Sequence, residues 1–148
     1  MISQMSRAYL QSFSVAHFLK DDSGYGLAAP DETCLRNAGF FLDTCLRQLA
    51  IIPHTSDRSD CIGESVEWFH DRDAYNFLLQ TATGLNSAIP GESNILGQFK
   101  HGWKQWCDAP STRERIELAP LMQQLLSDSV QIRQQHLQDI GGHSYGCL

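Results

Sequence analysis

Asp73–Trp106, DAYNFLLQTATGLNSAIPGESNILGQFKHGWKQW, is the stretch on which the reading of this chain turns. It reads as helix, polar turn, helix. Asp73 is a candidate N-cap, because its carboxylate can accept from the free N–H groups of a first helical turn. Ala74, Phe77, Leu78 and Thr81 then fall on one face at helical spacing. Gly84 ends the helix, since glycine enters the left-handed region without a steric penalty. Pro90-Gly91 marks a turn. A second helix restarts near Ser93 or Asn94, with Ile95, Leu96, Phe99, Trp103 and Trp106 as its apolar stripe. Between the two lie Asn86, Ser87, Glu92, Asn94, Gln98 and Lys100, a density of polar groups that a plain helical hairpin does not need.

Outward from this hairpin the pattern changes. Residues 9–17 alternate loosely and predict a strand containing His17. Asp21 to Pro30 is rich in Gly and Asp and reads as a loop. Pro30-Asp31-Glu32 starts a short helix to about Asn37, which Gly39 closes. Phe40–Ile52 is apolar and bulky, a buried strand or two strand segments around Thr44-Cys45. His54–Ser65 is a surface loop, and Val66–His70 a short strand. Ser111 or Thr112 caps a long helix to about Gln138, lined by Leu118, Met122, Leu125, Val130 and Leu137, with Pro120 kinking it or delaying its start. The expected class is α+β: a small mixed β-sheet packed with helices, then a long C-terminal helix. The expected division is 1–107 for the sheet-and-hairpin domain and 108–148 for the long helix and a short tail.

The composition bounds the function classes. The chain has 148 residues, 42% of them hydrophobic and 19% charged, as in an ordinary globular protein. No apolar run approaches the ~20 residues of a membrane span, and the N-terminus does not read as a secretory signal. The five cysteines (34, 45, 61, 107, 147) lack paired spacing, so reduced thiols and a cytoplasmic setting are expected, with no zinc site. The net charge of −6 argues against a protein that grips nucleic acid mainly through phosphates. His54, His70, His101, His136 and His143 sit in polar surroundings and read as surface residues.

The spaced pattern Gly84-Leu85-x-Ser87-x-x-x-Gly91-Glu92-x-x-Ile95-Leu96-Gly97-Gln98-x-Lys100 resembles the signature of the glutamyl-tRNA reductases, in their N-terminal catalytic domain. Asp43-Thr44-Cys45-Leu46-Arg47 resembles the same family's Ser-Thr-Cys-Asn-Arg motif, and His17 falls in its Asn-His-Lys region. The resemblance covers roughly residues 8–145. It implies an α/β catalytic domain followed by a long spinal helix, and a place in tetrapyrrole (porphyrin) biosynthesis. By this resemblance Cys45 is the nucleophile. It would attack the ester joining glutamate to tRNA and form a thioester, which NADPH reduces to glutamate-1-semialdehyde. Thr44, Arg47, Ser87, Glu92 and Gln98 would bind substrate. The residue types suit that chemistry. A thiolate is a strong nucleophile, and a guanidinium can hold a carboxylate in a bidentate manner. On an extended strand Arg47 would share a side with Cys45. Taken alone, a free cysteine is as readily a small buried core residue.

The departures are specific. Leu46 stands where the family has Asn. Asp43 replaces Ser and puts a negative charge beside the thiol. Phe77 stands where the family has a histidine, and Gln80 where it usually has arginine. The loop after Cys45 is too short for the helix the family places there. No GxGxxG turn follows a strand, so no NADPH site and no bound cofactor are expected. What remains is a domain lacking the family's NADPH-binding and dimerisation parts. It would bind glutamyl-tRNA or an aminoacyl group and form a thioester for transfer or hydrolysis, with a partner protein as possible acceptor or reductase. The alternatives are a non-catalytic module that binds a ligand or partner, or a fragment of a longer reductase.

Overall fold

The computed structural model describes residues 13–21, 23–54, 66–84, 95–110 and 112–139, the side chains of 136–139 aside. Within them the chain forms β1 (Phe13–Leu19), α1 (Ala29–Ala38), β2 (Phe40–Asp43), β3 (Arg47–Pro53), β4 (Glu67–His70), α2 (Asp71–Thr83), α3 (Ile95–Asp108) and α4 (Arg113–Asp139). The four strands make one sheet in the order β2-β3-β1-β4. Every pairing in it is antiparallel, so the α+β class holds while the expected mixed sheet does not. For β2 and β3 the reason is local: they are joined by a tight turn, and tight turns connect only antiparallel neighbours.

Helices cover both faces. Phe13, Val15, Phe40, Leu42, Leu49 and Ile51 turn to one side, where Tyr75, Leu78, Phe99, Trp103, Leu118, Met122 and Leu125 of α2, α3 and α4 close the main core. Ala16, Ala50 and Ile52 turn to the other, against Leu35 and Ala38 of α1. All seven residues of β3 are buried in consequence. A strand with both faces covered reads as a continuous apolar run rather than an alternation, which is how Phe40–Ile52 looks in the sequence. At Gly39 a Cβ would collide with the Ile51 carbonyl, so glycine lets α1 pass directly into β2.

Two helix starts differ from the sequence reading. α2 begins at Asp71 rather than at an Asp73 cap, with His70 still extended (φ −129°, ψ 140°) and no side-chain cap. Strand β4 runs straight into the helix, so Asp71 and Asp73 both lie in the first turn, where carboxylates favour the positive end of the helix dipole. Asp71 takes the bend with φ of 53°. At the other end Gly84 is left-handed (φ 78°) and its N–H reaches the Thr81 carbonyl, as its sequence position predicts. Pro120 does not delay α4: Thr112 Oγ1 accepts from Arg115 N–H at 3.2 Å and the helix runs from Arg113.

α4 shares the core and is tied to its neighbours by polar contacts. The buried Tyr75 hydroxyl donates to Asp128 Oδ2 at 2.5 Å. Arg133 Nη1 donates to the Thr83 carbonyl at 3.3 Å, at the C-terminal end of α2. Arg115 Nη1 meets the carbonyls of Trp106 (3.0 Å), Cys107 (2.7 Å) and Ala109 (2.8 Å) where α3 ends. Orphan carbonyls at a helix end are favourable partners for a cation. Cys34 on α1 is disulfide-bonded, against the expectation of reduced thiols at that residue, while Cys45 and Cys107 are free thiols. The loop 55–65, which the sequence reading holds too short for the family's helix, and the 140–148 tail lie outside the described residues. No helix among the described residues is long and apolar enough to cross a membrane.

Because Leu125 is fully buried in the main core, Leu125→Ala is expected to lower the unfolding free energy by ~2–5 kcal/mol. The urea transition should stay single, showing that α4 and the sheet unfold together. Burial, with the hydrogen bond and charge of Asp128 added, holds the Tyr75 phenol well above its ordinary value of 10.0. A raised folded value gives stability that is complete below the unfolded value and is lost as pH rises past it. Above pH 10 the wild type should lose up to ~1.4 kcal/mol per pH unit more than Tyr75→Phe, measured by urea unfolding at stepped pH.

Candidate functional site

The site lies at the sheet end where β2 gives way to β3. Asp43 pairs with Gln48 as the last rung of that hairpin, and Thr44 N–H donates to the Arg47 carbonyl at 2.8 Å. Cys45 and Leu46 are therefore the two-residue tip. Among the described residues Asp71 is the non-glycine with positive φ, so neither tip residue adopts the left-handed geometry that such hairpins favour. The Thr44 hydroxyl supplies the missing order. It donates to the Arg47 carbonyl (3.1 Å) and accepts from the N–H groups of Leu46 (3.2 Å) and Arg47 (3.1 Å). That uses the one donor and both acceptor positions of a hydroxyl. Thr44, expected as a substrate contact, has its hydroxyl bonded within the turn in this structure.

Lys20 holds the same turn from the side. Its N–H donates to the Leu46 carbonyl at 2.9 Å. Its ammonium reaches the Thr44 carbonyl at 2.6 Å and Asp43 Oδ1 at 2.7 Å. Asp43 also accepts from Gln48 Nε2 at 3.3 Å. The carboxylate that stood out in the sequence as a charge beside the thiol is paired with a cation.

Cys45 is exposed, which removes the reading of it as a core residue. The chain reverses at the tip, so strand alternation does not carry from Cys45 to Arg47. Arg47 instead opens β3 and is 5% exposed, on the side of the main core. Its Nη1 donates to His17 Nε2 at 3.2 Å. The register makes this contact natural: His17 lies opposite Leu49, and Arg47 is its diagonal neighbour. A guanidinium has no acceptor, so His17 Nε2 offers its lone pair and Nδ1 carries the proton. That Nδ1–H donates to Glu67 Oε1 at 3.3 Å. The His17 ring meets Phe77 edge-on, with centroids 4.9 Å apart, and Phe77 stacks on Phe69 at 4.2 Å. Where the resemblance expects a histidine, an aromatic wall stands against His17.

α2 starts at the far end of the sheet, where Asp71 Oδ1 lies 3.3 Å from His54 Nε2. It passes His17 at Phe77, so its Gly84 end points toward the end of the sheet that carries the Cys45 turn. Ser87 and Glu92 lie outside the described residues. Gln98 and Lys100 are exposed on α3. Thr44, Cys45 and Arg47 thus share one turn, and His17 meets Arg47. Lys20 and Glu67 are the members that sequence reasoning missed. Lys20 stands three residues after His17, whereas the motif has its Lys directly after the His, where this chain has Phe18, so the resemblance did not mark it. Glu67 carried no signal, because it reaches His17 only through strand pairing.

The family described as Glutamyl-tRNAGlu reductase, N-terminal domain, matches residues 29–136, well over half of the chain. The chain belongs to the glutamyl-tRNA reductase N-terminal domain family. Its fold is similar to that of glutamyl-tRNA reductase from Methanopyrus kandleri, with a TM-score of 0.62 at 17% sequence identity. That likeness covers 84% of this chain and 35% of the Methanopyrus chain. The family domain is therefore present in a chain that spans about a third of that reductase.

Cys45 is expected to alkylate with iodoacetamide in the native protein, as is the exposed Cys107, and peptide mapping without denaturant checks both. Thr44→Val keeps the side-chain shape and removes the hydroxyl bonds. It should lower the unfolding free energy by ~1–3 kcal/mol, read from urea titration.

Proposed function

We propose that this domain recognises the glutamyl end of a charged tRNA and takes the glutamyl group onto Cys45. The Cys45 sulfur attacks the carbonyl carbon of the ester. A C–S bond forms, the C–O bond to the ribose breaks, and the ribose oxygen leaves with a proton. The thioester then passes to water, to an amine, or to a reductase domain or partner protein that brings NADPH. Reduction to the aldehyde needs that hydride donor, so this chain carries the acyl-transfer half of the chemistry.

The observation that supports this reading is the placement of Cys45. It is a solvent-facing thiol on an ordered turn, inside the family's cysteine motif, with the Arg47 guanidinium two residues on. The planar fork of Arg47 suits the glutamyl carboxylate. Ser87, Glu92 and Gln98 of the second motif would complete the glutamyl pocket. With a net charge of −6, the chain would contact the acceptor end of the tRNA, and a stronger grip on the phosphates would fall to another domain or partner. Membership of the family supports a setting in the cytoplasm and a place in tetrapyrrole biosynthesis.

A second reading has its own support. Phe77 removes a family histidine and Arg47 is nearly buried, and both features favour a domain that binds the glutamyl ester or a partner without transferring the group. Intact-mass measurement after mixing with glutamyl-tRNA separates the two. Transfer gives a glutamyl adduct that hydroxylamine removes and that Cys45→Ser, with its far weaker nucleophile, reduces by at least ~100-fold. Saturable binding with no adduct would establish the second reading.

A further inference from the structure

The turn that carries Cys45 uses its own N–H groups with one exception. Thr44 N–H donates to the Arg47 carbonyl at 2.8 Å. Leu46 N–H and Arg47 N–H donate to Thr44 Oγ1 at 3.2 Å and 3.1 Å. That leaves the Cys45 N–H, which meets no acceptor among the described residues. The peptide it belongs to is nevertheless held. Its other end is the Thr44 carbonyl, which accepts from the Lys20 ammonium at 2.6 Å. No peptide bond among the described residues is cis, so the Cys45 N–H points opposite to that carbonyl. The same ammonium bonds Asp43 Oδ1, while Asp43 Oδ2 accepts from Gln48 Nε2, which also donates to Glu32 of α1. The cation thus lies on the α1 side of the hairpin. The Cys45 N–H is turned to the opposite side, that of Arg47.

We infer that the Cys45 backbone N–H is the donor that stabilises the oxyanion formed when Cys45 attacks a carbonyl, and that Lys20 is a positioning residue that steadies this donor through the Thr44 carbonyl. The inference rests on the acyl transfer proposed above and names the group that assists it. As the sulfur, its proton lost to water, adds to the ester carbon, the carbonyl electron pair moves onto oxygen. That oxygen sits on the carbon bonded to Sγ, within reach of the same residue's N–H. The C=O then re-forms, the C–O bond to the ribose breaks, and the ribose oxygen takes a proton from water. The negative charge develops only in this step, so a donor aimed in advance favours the transition state over the bound ester. A cation on the carbonyl also polarises the peptide and strengthens its N–H as a donor. The Thr44 hydroxyl and the Lys20 N–H bond to Leu46 order the hairpin as well. Both survive loss of the ammonium, so the turn persists while one peptide loosens. Lys20 touches no reacting atom.

The test uses the full chain and a glutamate-derived trifluoromethyl ketone. Cys45 can add to this ketone, which has no leaving group, so the anion persists as a hemithioketal. In the 15N-labelled wild type the Cys45 amide proton should move downfield when the adduct forms. Lys20→Met keeps the stem and removes the ammonium. It should weaken the adduct by ~10-fold, less than the ~10²–10³ that losing an oxyanion donor outright costs, and Lys20→Arg should recover it. Alkylation by iodoacetamide generates no oxyanion, so its rate at Cys45 should be unchanged in Lys20→Met, a result that a change in the thiol itself would not give. In single-turnover acylation by glutamyl-tRNA, Lys20→Met should lower the maximal rate by a similar factor and leave the half-saturating concentration in place. An unmoved Cys45 amide proton in the adduct, no ketone adduct at Cys45, or equal losses of adduct and alkylation in Lys20→Met overturns the inference. If the ketone results hold and glutamyl-tRNA leaves no adduct, the proposed transfer fails while the donor stands. Should Lys20→Met not fold, the wild-type amide shift still decides the role of the N–H.

Discussion

The sheet of this protein has helices on both faces, and its two central strands, β1 and β3, are buried on both sides except at the Phe18-Leu19 end of β1. Every polar side chain on them must therefore find a partner within the protein, since an unpaired buried charge or dipole costs several times what a hydrogen bond returns. Gln48 meets this demand on the α1 face. Its Oε1 accepts from Leu27 N–H at 2.7 Å and its Nε2 donates to Glu32 Oε1 at 3.1 Å, which also fastens the loop after β1. On the main-core face His17 accepts from Arg47 and meets Glu67, as one part of the polar contacts there. The polar cluster at the sheet end follows from the two-sided burial as much as from the chemistry it supports.

The same constraint shapes the cysteine. A thiol within β3 would be sealed in the core. Ending β2 at Asp43 and starting β3 at Arg47 leaves Cys45 and Leu46 as a tip beyond the sheet edge. Thr44 and Lys20 then hold that tip from inside and from the side. The substitutions that look damaging in the one-dimensional motif are compensated in space: Asp43 has Lys20, and Phe77 has Phe69 and the His17 ring. The compensation preserves the geometry of the turn. It does not replace a titratable group at position 77, and the division between acyl transfer and simple binding hangs on that difference.

α4 belongs to the same physical unit as the sheet. Leu118, Leu121, Met122 and Leu125 fill the main core, and the Tyr75–Asp128 bond joins α4 to the helix that carries Phe77. A strain or ligand-induced shift in α4 would reach the aromatic wall beside His17 through one intervening helix, because packed cores move as rigid pieces rather than deform smoothly.

The sequence by itself determined the elements and the family. Apolar spacing located α3 and α4, Gly84 located the end of α2, and the apolar run at Phe40–Ile52 announced a buried strand or two segments around Thr44-Cys45. These are local properties, in which each residue's backbone preference and its period along the chain suffice. The cysteine motif also named Cys45 and Arg47. Their environment was decided only by the tertiary structure. That Cys45 is exposed while Arg47 is buried depends on where the hairpin turns. That His17 meets Glu67, fifty residues away, depends on the pairing of β4 with β1. Strand pairing couples positions without leaving a mark on either one's local pattern, and side-chain hydrogen bonds across strands inherit that invisibility.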